Sequence, residues 1–297
     1  MTDRGSIAKQ FSDNPCRRLD RVFSRGHLEW DETMPVHVQA QVRRLDQEEF
    51  GRIAYEIMRH VFAVHNAMGR CFREDVYRDA VAGRMPSART EVPVQVRFED
   101  FAKDYYIDLL VEEGAVFELK SVETIGPAQR AQLLNYLLLT GLSHGKLVNF
   151  SGDRVEHQFV NSHLRLTDRT AFEVVDRHWC DPGAGDRPLK PWLVGLLRDI
   201  GAGLHVHLYA SAVSHLFGGD EAVLREIDIS IDGRPLRRQK IRLAAPEWGF
   251  EVTAIEEPDL PRFEEHLHRS LGHTSLRGTH WINITRKQVT FMTVPRQ

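Results

Sequence analysis

The alternation of apolar and polar positions predicts the elements of this chain. Phe50, Ile53, Ile57, Val61, Val64 and Met68 recur at three- and four-residue steps, which makes one buried helical stripe. Asp46 and Glu49 have capping-box spacing at its start, and Gly69 stops it. A shorter helix over 73–82 is expected to carry Val76, Ala80 and Val81 inward. The period then changes to two. EVPVQVRF (91–98) reads as a strand, and DYYIDLLVEEGAVFELKS (104–121) as a hairpin turning near Glu112, Glu113 and Gly114. Gly126-Pro127 opens another helix, with Leu133, Leu134, Leu137 and Leu138 on a wide apolar face. KLVNF (146–150) and VEHQFV (155–160) read as two more strands. Helix, helix, three strands, helix, strand, strand is the order of an α/β or α+β domain, a mixed β-sheet flanked by helices.

The flanks are less regular. Residues 1–45 keep no lasting period and read as a partly disordered leader with a short element near 17–30. The first domain is expected over 46–165. The stretch 166–191 contains the Pro/Gly-rich run CDPGAGDRPLKP and reads as a linker. A second folded segment is expected over 192–297.

Composition narrows the class. Of 297 residues, 42% are hydrophobic, enough for real cores and against wholesale disorder. No stretch approaches 18 uninterrupted apolar residues, which rules out a transmembrane helix, and the N-terminus has no apolar signal region. Cys16, Cys71 and Cys180 form neither a disulfide framework nor a metal-spaced pair. A reducing cytoplasm, away from any membrane, is the expected location. The net charge of -3 argues against bulk electrostatic binding of DNA but leaves room for a local basic surface.

Candidate chemistry lies on the hairpin. Glu118 and Lys120 are two apart on a strand and share a face. The partner strand can bring Asp108 beside them. Two clustered carboxylates repel unless a positive group lies between them. Mg²⁺ meets that need with oxygen ligands and keeps positions for water and phosphate. The plainer alternative is an ion pair on a solvated sheet face.

Here the residues resemble a known family. Asp108, nine residues, then Glu118-Leu119-Lys120 resembles the PD-(D/E)XK nuclease superfamily. Val64-His65, Gly69, Phe72, Glu74 and Tyr77, followed by the hairpin, by Ala131 to Leu137 (AQLLNYL) and by Leu147 to Phe150, resembles its GxxExxY branch over about residues 46–160. One position departs. Cys71 stands where that branch carries the glycine three residues before Glu74, and a turn needing positive φ there would be strained.

The resemblance implies a restriction-endonuclease-like core and hydrolysis of phosphodiester bonds by a metal-activated water. Mg²⁺ would be the cofactor, with Mn²⁺ as a substitute, and nucleic acid, DNA above all, the substrate. Asp108 and Glu118 would bind the metal, Glu74 would complete its shell, and Lys120 would be the catalytic lysine. Gln132 and Tyr136 match a Gln-x-x-x-Tyr element and, four apart, share a helical face. There they would bind phosphate or hold Lys120. Two other readings stay open: a non-catalytic nucleic-acid-binding or assembly module keeping the fold, and a hydrolase of small nucleotides. His65 is expected to be a hydrogen-bonded core histidine, and Cys71 a packing residue.

The second segment echoes the first. Gly201 and Tyr209 match Gly69 and Tyr77 at an offset of 132, and Thr274 and Asn283 match Thr140 and Asn149 at an offset of 134. The chemistry is lost by these offsets: Glu74 becomes Val206, Asp108 Arg242, Glu118 Val252, Lys120 Ala254, Gln132 His266 and Tyr136 Ser270. Residues 192–297 are therefore expected to be an inactive copy acting as an intramolecular partner. The alternative is a chance echo between two α/β domains. His205 with His207, and His266 with His268, are two apart on expected helices and so on different faces, which favours surface or packing roles. Arg238, Lys240 and Arg242 would share a strand face and could meet phosphates. Residues 46–160 carry -5 and residues 161–297 carry 0, so the acidity lies in the half with the candidate site.

Overall fold

The computed structural model describes residues 35–297; residues 1–34, with the element expected near 17–30, lie outside the described residues. The described end of the expected leader holds a strand, β1 (Val36–Val38). Helix α1 (Gln47–Met68) starts where its spacing predicts. The Asp46 carboxylate accepts the Glu49 N–H at 2.8 Å, and the Glu49 carboxylate accepts the Asp46 N–H at 3.2 Å, so each satisfies an orphan donor. Gly69 ends it at φ 70°. Helix α2 (Glu74–Ala82) follows.

At α2 one expectation fails. Val76 is 39% exposed and Tyr77 points inward instead. Its ring stacks on Phe150 with centroids 4.2 Å apart. Its hydroxyl donates to the Gly69 carbonyl at 2.7 Å and accepts the Phe72 N–H at 3.2 Å. A tyrosine buries more surface than a valine, and here its polar tip also finds both partners. The result is a brace across the turn between the helices.

The first sheet uses β1, β2 (Ala88–Phe98), β3 (Phe101–Val111), β4 (Ala115–Lys120), β5 (His144–Asn149) and β6 (Glu156–Asn161), in that order, and only β4 and β5 run parallel. Helix α3 (Pro127–Thr140) makes the crossover. Helices α1 and α2 cover one face through Leu109, Phe117, Leu119 and Phe150. Helix α3 covers the other through Leu110, Val116 and Leu147.

The stretch 166–191, expected as a linker, is instead part of the packed structure. It contains α4 (Leu166–Thr170) and β7 (Glu173–Arg177). Arg169 is 4% exposed and donates to the carbonyls of Ile200 at 3.0 Å and Leu138 at 2.9 Å, clamping both halves. The chain continues through α5 (Leu189–Ile200), α6 (Val206–Leu216), α7 (Asp220–Val223), β8 (Leu224–Ile231), β9 (Arg234–Ala245), β10 (Trp248–Thr253), α8 (Leu260–Gly272), β11 (Gly278–Ile284) and β12 (Gln288–Pro295). The second sheet has the order β7-β12-β11-β10-β9-β8, with β7 parallel to β12 at its edge. Strands β8 to β12 follow the same order and the same directions as β2 to β6. The basic run expected on β9 is partly neutralised from β8: Arg238 meets Asp228 at 3.0 Å.

Helices α5 and α6 lie between the two sheets. Leu193, Leu197, Leu208 and Val213 join Val94 and Val96 of β2, Leu133 of α3 and Phe250 of β10 in one continuous core. The molecule is thus mixed α/β, with two mixed sheets flanked by helices, as expected. No helix among the described residues is long and apolar enough to cross a membrane.

Candidate active site

Strands β3 and β4 pair only through Leu109–Val111 and Ala115–Phe117. Beyond Phe117 the Asp108 carboxylate accepts the Leu119 N–H at 2.9 Å in place of a ladder partner. Strand alternation puts Glu118 and Lys120 on the face of Val116, toward α3. Glu118 is 1% exposed and Lys120 9%. The Lys120 ammonium donates to Glu118 Oε1 at 2.6 Å, while Glu118 Oε2 is buried with no hydrogen-bond partner among the described residues. Glu74, at the start of α2, accepts the Ser121 N–H through Oε1 at 3.0 Å, and its Oε2 lies 3.8 Å from Lys120 Nζ. Asp108, Glu118 and Lys120, nominated by strand spacing, therefore meet, and Glu74, nominated by the resemblance, reaches Lys120 from α2.

Burial raises the Glu118 carboxyl to about 8, and the neighbouring Asp108 charge pushes the same way against the pull of Lys120. Burial also raises Asp108, less so because the Leu119 N–H and Lys120 favour its charged form. For Lys120, burial pushes down, but the Glu118 charge and hydrogen bond, with Asp108 and Glu74, outweigh it and hold the ammonium above its ordinary range. Lys120 is thus held as a cation.

Gln132 and Tyr136 share one face of α3, and the Gln132 amide donates to the Tyr136 hydroxyl at 3.1 Å. Burial and then the charge of Glu118 raise the Tyr136 phenol, so it stays a neutral donor facing the carboxylates. His65 is buried, with Nε2 3.0 Å from the Gly152 carbonyl, as a structural histidine should be. Cys71 differs from expectation twice. It is exposed rather than packed, and its backbone avoids the left-handed region, which Gly69 supplies two residues earlier. No strain is therefore imposed on Glu74. His205 and His207 also differ: their rings stack at 4.9 Å, because His205 precedes α6 in a non-helical conformation.

Some residues at the site had no signal in a single motif. A cleft of about 490 Å³ leads to Asp108 between Arg73, Glu74, Asp75, Arg78, Glu91 and Ser121. Arg78 bridges to Glu91 at 3.1 Å, and Glu91 holds φ 49°, at the position across from Asp108 on β2. Asn149 bonds both backbone groups of Val122, at 3.1 and 2.8 Å, and so fixes the chain leaving Lys120. Its match with Asn283 was the available clue.

The donor set suits a hard divalent cation in part. The bare, buried Glu118 Oε2 and the Asp108 carboxylate are the oxygen ligands such an ion takes. The expected third ligand does not join them. Glu74 is turned to Ser121 and Lys120, and among the described residues no three His, Cys, Asp or Glu side chains gather as a metal-binding group.

The corresponding place on the second sheet corrects the expected offsets. Lys120 pairs with Asn149, and Thr253 pairs with Asn283. Hence Thr253 stands where Lys120 does, and Glu251, not Val252, where Glu118 does. Leu243 faces Gly249 as Leu110 faces Val116, so Ile241, not Arg242, takes the place of Asp108. A one-residue slip puts every side chain on the other face of a strand. Thr253 accepts the Trp281 indole N–H at 2.8 Å and donates to Asn283 at 2.7 Å.

A family model described as PD-(D/E)XK nuclease superfamily matches residues 51–161. That span runs from within α1 to the end of β6 and contains Glu74, Asp108, Glu118, Lys120, Gln132 and Tyr136. The second sheet lies outside it. A solved structure, the crystal structure of SSO0001, matches at 19% identity over 39% of this chain, with a TM-score of 0.27. The match spans 64% of that protein, less than two thirds of its length. None of the curated proteins matches the chain.

Proposed function

We propose that the chain is a Mg²⁺-dependent nuclease that hydrolyses phosphodiester bonds of DNA, with Mn²⁺ able to substitute. The observation that carries this reading is the bare, buried Glu118 Oε2 beside the Asp108 carboxylate and the Lys120 ammonium. A carboxylate oxygen left without a partner costs stability unless another group engages it. Asp108 and Glu118 would hold the ion, which when bound supplies Lewis acidity and a more acidic water. Lys120 is the wrong charge state for a base. It steadies negative charge on the phosphoryl oxygens and orients the attacking water. Tyr136, positioned by Gln132, donates a hydrogen bond to the same region. Glu74 holds the Ser121 backbone and faces Lys120, and is a positioning residue in this geometry. Arg73 and Arg78 at the cleft mouth suit the approach of phosphate.

We also propose that residues 192–297 descend from a copy of the first half and have lost its chemistry. Matching strand order and directions support this, and so do the hydrogen bonds of three matched pairs of side chains. Tyr209 donates to the Gly201 carbonyl at 2.8 Å and accepts the Leu204 N–H at 3.0 Å, repeating the Tyr77 brace. Asn283 bonds both backbone groups of Ile255, at 2.7 and 2.8 Å, as Asn149 bonds Val122. Thr140 and Thr274 each accept the N–H two residues on, at 3.4 and 3.2 Å.

Asp108→Ala and Lys120→Ala should each lower Mg²⁺-dependent DNA cleavage by about 100-fold or more. Wild-type rates in both variants would refute the site. Hydrolysis of small nucleotides is a second reading, favoured by Glu74, Asp75 and Glu91 on the cleft walls. Short nucleotides assayed beside single- and double-stranded DNA separate the two.

A further inference from the structure

The second sheet has a cavity where the first has its catalytic face. It measures about 380 Å³ and lies between β8–β10 and α8. Ile241, Glu251 and Ser270 line it, and these stand at the places of Asp108, Glu118 and Tyr136. The other walls are mainly apolar, from Ile229, Ile231, Leu236, Leu267 and Leu271. Ile231 and Leu236 are 46% and 59% exposed, so the cavity opens on the β8–β9 hairpin. Its volume is in the range of roughly 300–1,000 Å³ that small-molecule sites occupy.

One charge serves this cavity. The Glu251 side chain makes no ion pair or hydrogen bond among the described residues. Its side chain is exposed to water at the cavity, yet partial burial raises its carboxyl above the ordinary range, with Arg242 pulling the other way. No cationic side chain lines the walls with it apart from His273, the ring of which is turned to the Ser230 carbonyl at 3.0 Å.

We propose that the cavity binds a small organic cation, with an apolar body among the isoleucines and leucines and an ammonium group on Glu251. A charge-assisted hydrogen bond of that kind is stronger than a neutral one, and a ligand without the cation leaves the carboxylate unpaired against an apolar body. A phosphate-bearing ligand would set its charge against that of Glu251. A lone carboxylate is too small a ligand set for a metal ion. The site is independent of the hydrolytic reading, since it shares no residue with the Asp108 cleft.

Titration calorimetry of the full chain with phenethylamine tests this. Saturable binding to one site is expected, with phenylacetate, the same ring with the opposite charge, failing to bind. Glu251→Gln should weaken phenethylamine by about tenfold or more. Ser270→Phe, a change at an exposed helix position that puts a ring into the cavity, should abolish it. Lys120→Ala should bind like wild type, which separates this site from the cleft. Absence of saturable binding overturns the proposal, as does equal affinity for phenylacetate or an unchanged affinity in both cavity variants.

Discussion

Glu118 combines deep burial with one oxygen that no hydrogen-bonding group among the described residues engages. Its carboxyl is raised from 4.5 to about 8, so the folded metal-free protein holds a proton that the unfolded chain gives up above 4.5. That contribution is complete below the unfolded value and is lost as pH rises through about 8. Glu118→Gln should therefore stabilise the metal-free protein toward urea at pH 9 and change little at pH 4, while removing Mg²⁺ binding. His280 behaves in the opposite sense. Burial between Trp179 and Trp248 lowers it from 6.5 to about 4, so its contribution is present above 6.5 and lost as pH falls through 4. His280→Asn should flatten urea stability between those values, by up to about 3 kcal/mol. At this scale the meeting of Asp108, Glu118 and Lys120 was legible because strand alternation fixes which side chains share a face. Arg78 and Glu91 were not, because an Arg–Glu pair is common on any surface and only the fold brings it to the cleft. Val76 misled for a similar reason: hydropathy favours valine inside, but the Tyr77 hydroxyl had two backbone partners waiting.

Elements of strong period were readable, and weak ones were not. The capping box, the Gly69 stop and the Pro127 start all carry local physics that survives any tertiary context. Strand β7 is five residues long and sits beside a Pro/Gly-rich run, so composition masked it. The slip of one residue across β10 arose because an offset of 132 changes to 134 between distant anchors. Alternation then moved Glu251 out of sight. The tyrosine braces are the elements' clearest shared device. Tyr209→Phe should cost about 1–3 kcal/mol in urea unfolding, since it leaves a buried carbonyl and an N–H unpaired, and Tyr77→Phe should cost less, since Gly69 and Phe72 are exposed and water can replace the hydroxyl. Only Tyr77→Phe should also slow DNA cleavage, because its turn leads into Glu74. Equal rates for the two variants would break the link between brace and site.

Across the whole molecule, one core joins what the sequence divides. Val94 and Val96 of the first half pack with Leu193 and Leu197 of the second, and Arg169 ties carbonyls on both sides. Urea should therefore unfold residues 35–297 in a single transition, monitored by tryptophan fluorescence and by circular dichroism with coincident midpoints. Two separated transitions would mean independent halves. Residues 46–165 expressed alone should aggregate, because that core face would meet water. The joint core was not legible beforehand, because helices α5 and α6 read as ordinary amphipathic elements and nothing local says that they are buried on two sides.

Thr253 ties β10 to its neighbour β11 through side chains. It holds the indole of Trp281, a residue 1% exposed, where the first sheet has Leu147 pairing with Glu118. Placing a lysine at 253 would strand that indole N–H in the interior, so Thr253→Lys calls for a second substitution at 281. The two positions are tied, and the inner face of the second sheet can gain a cation there only by changing both.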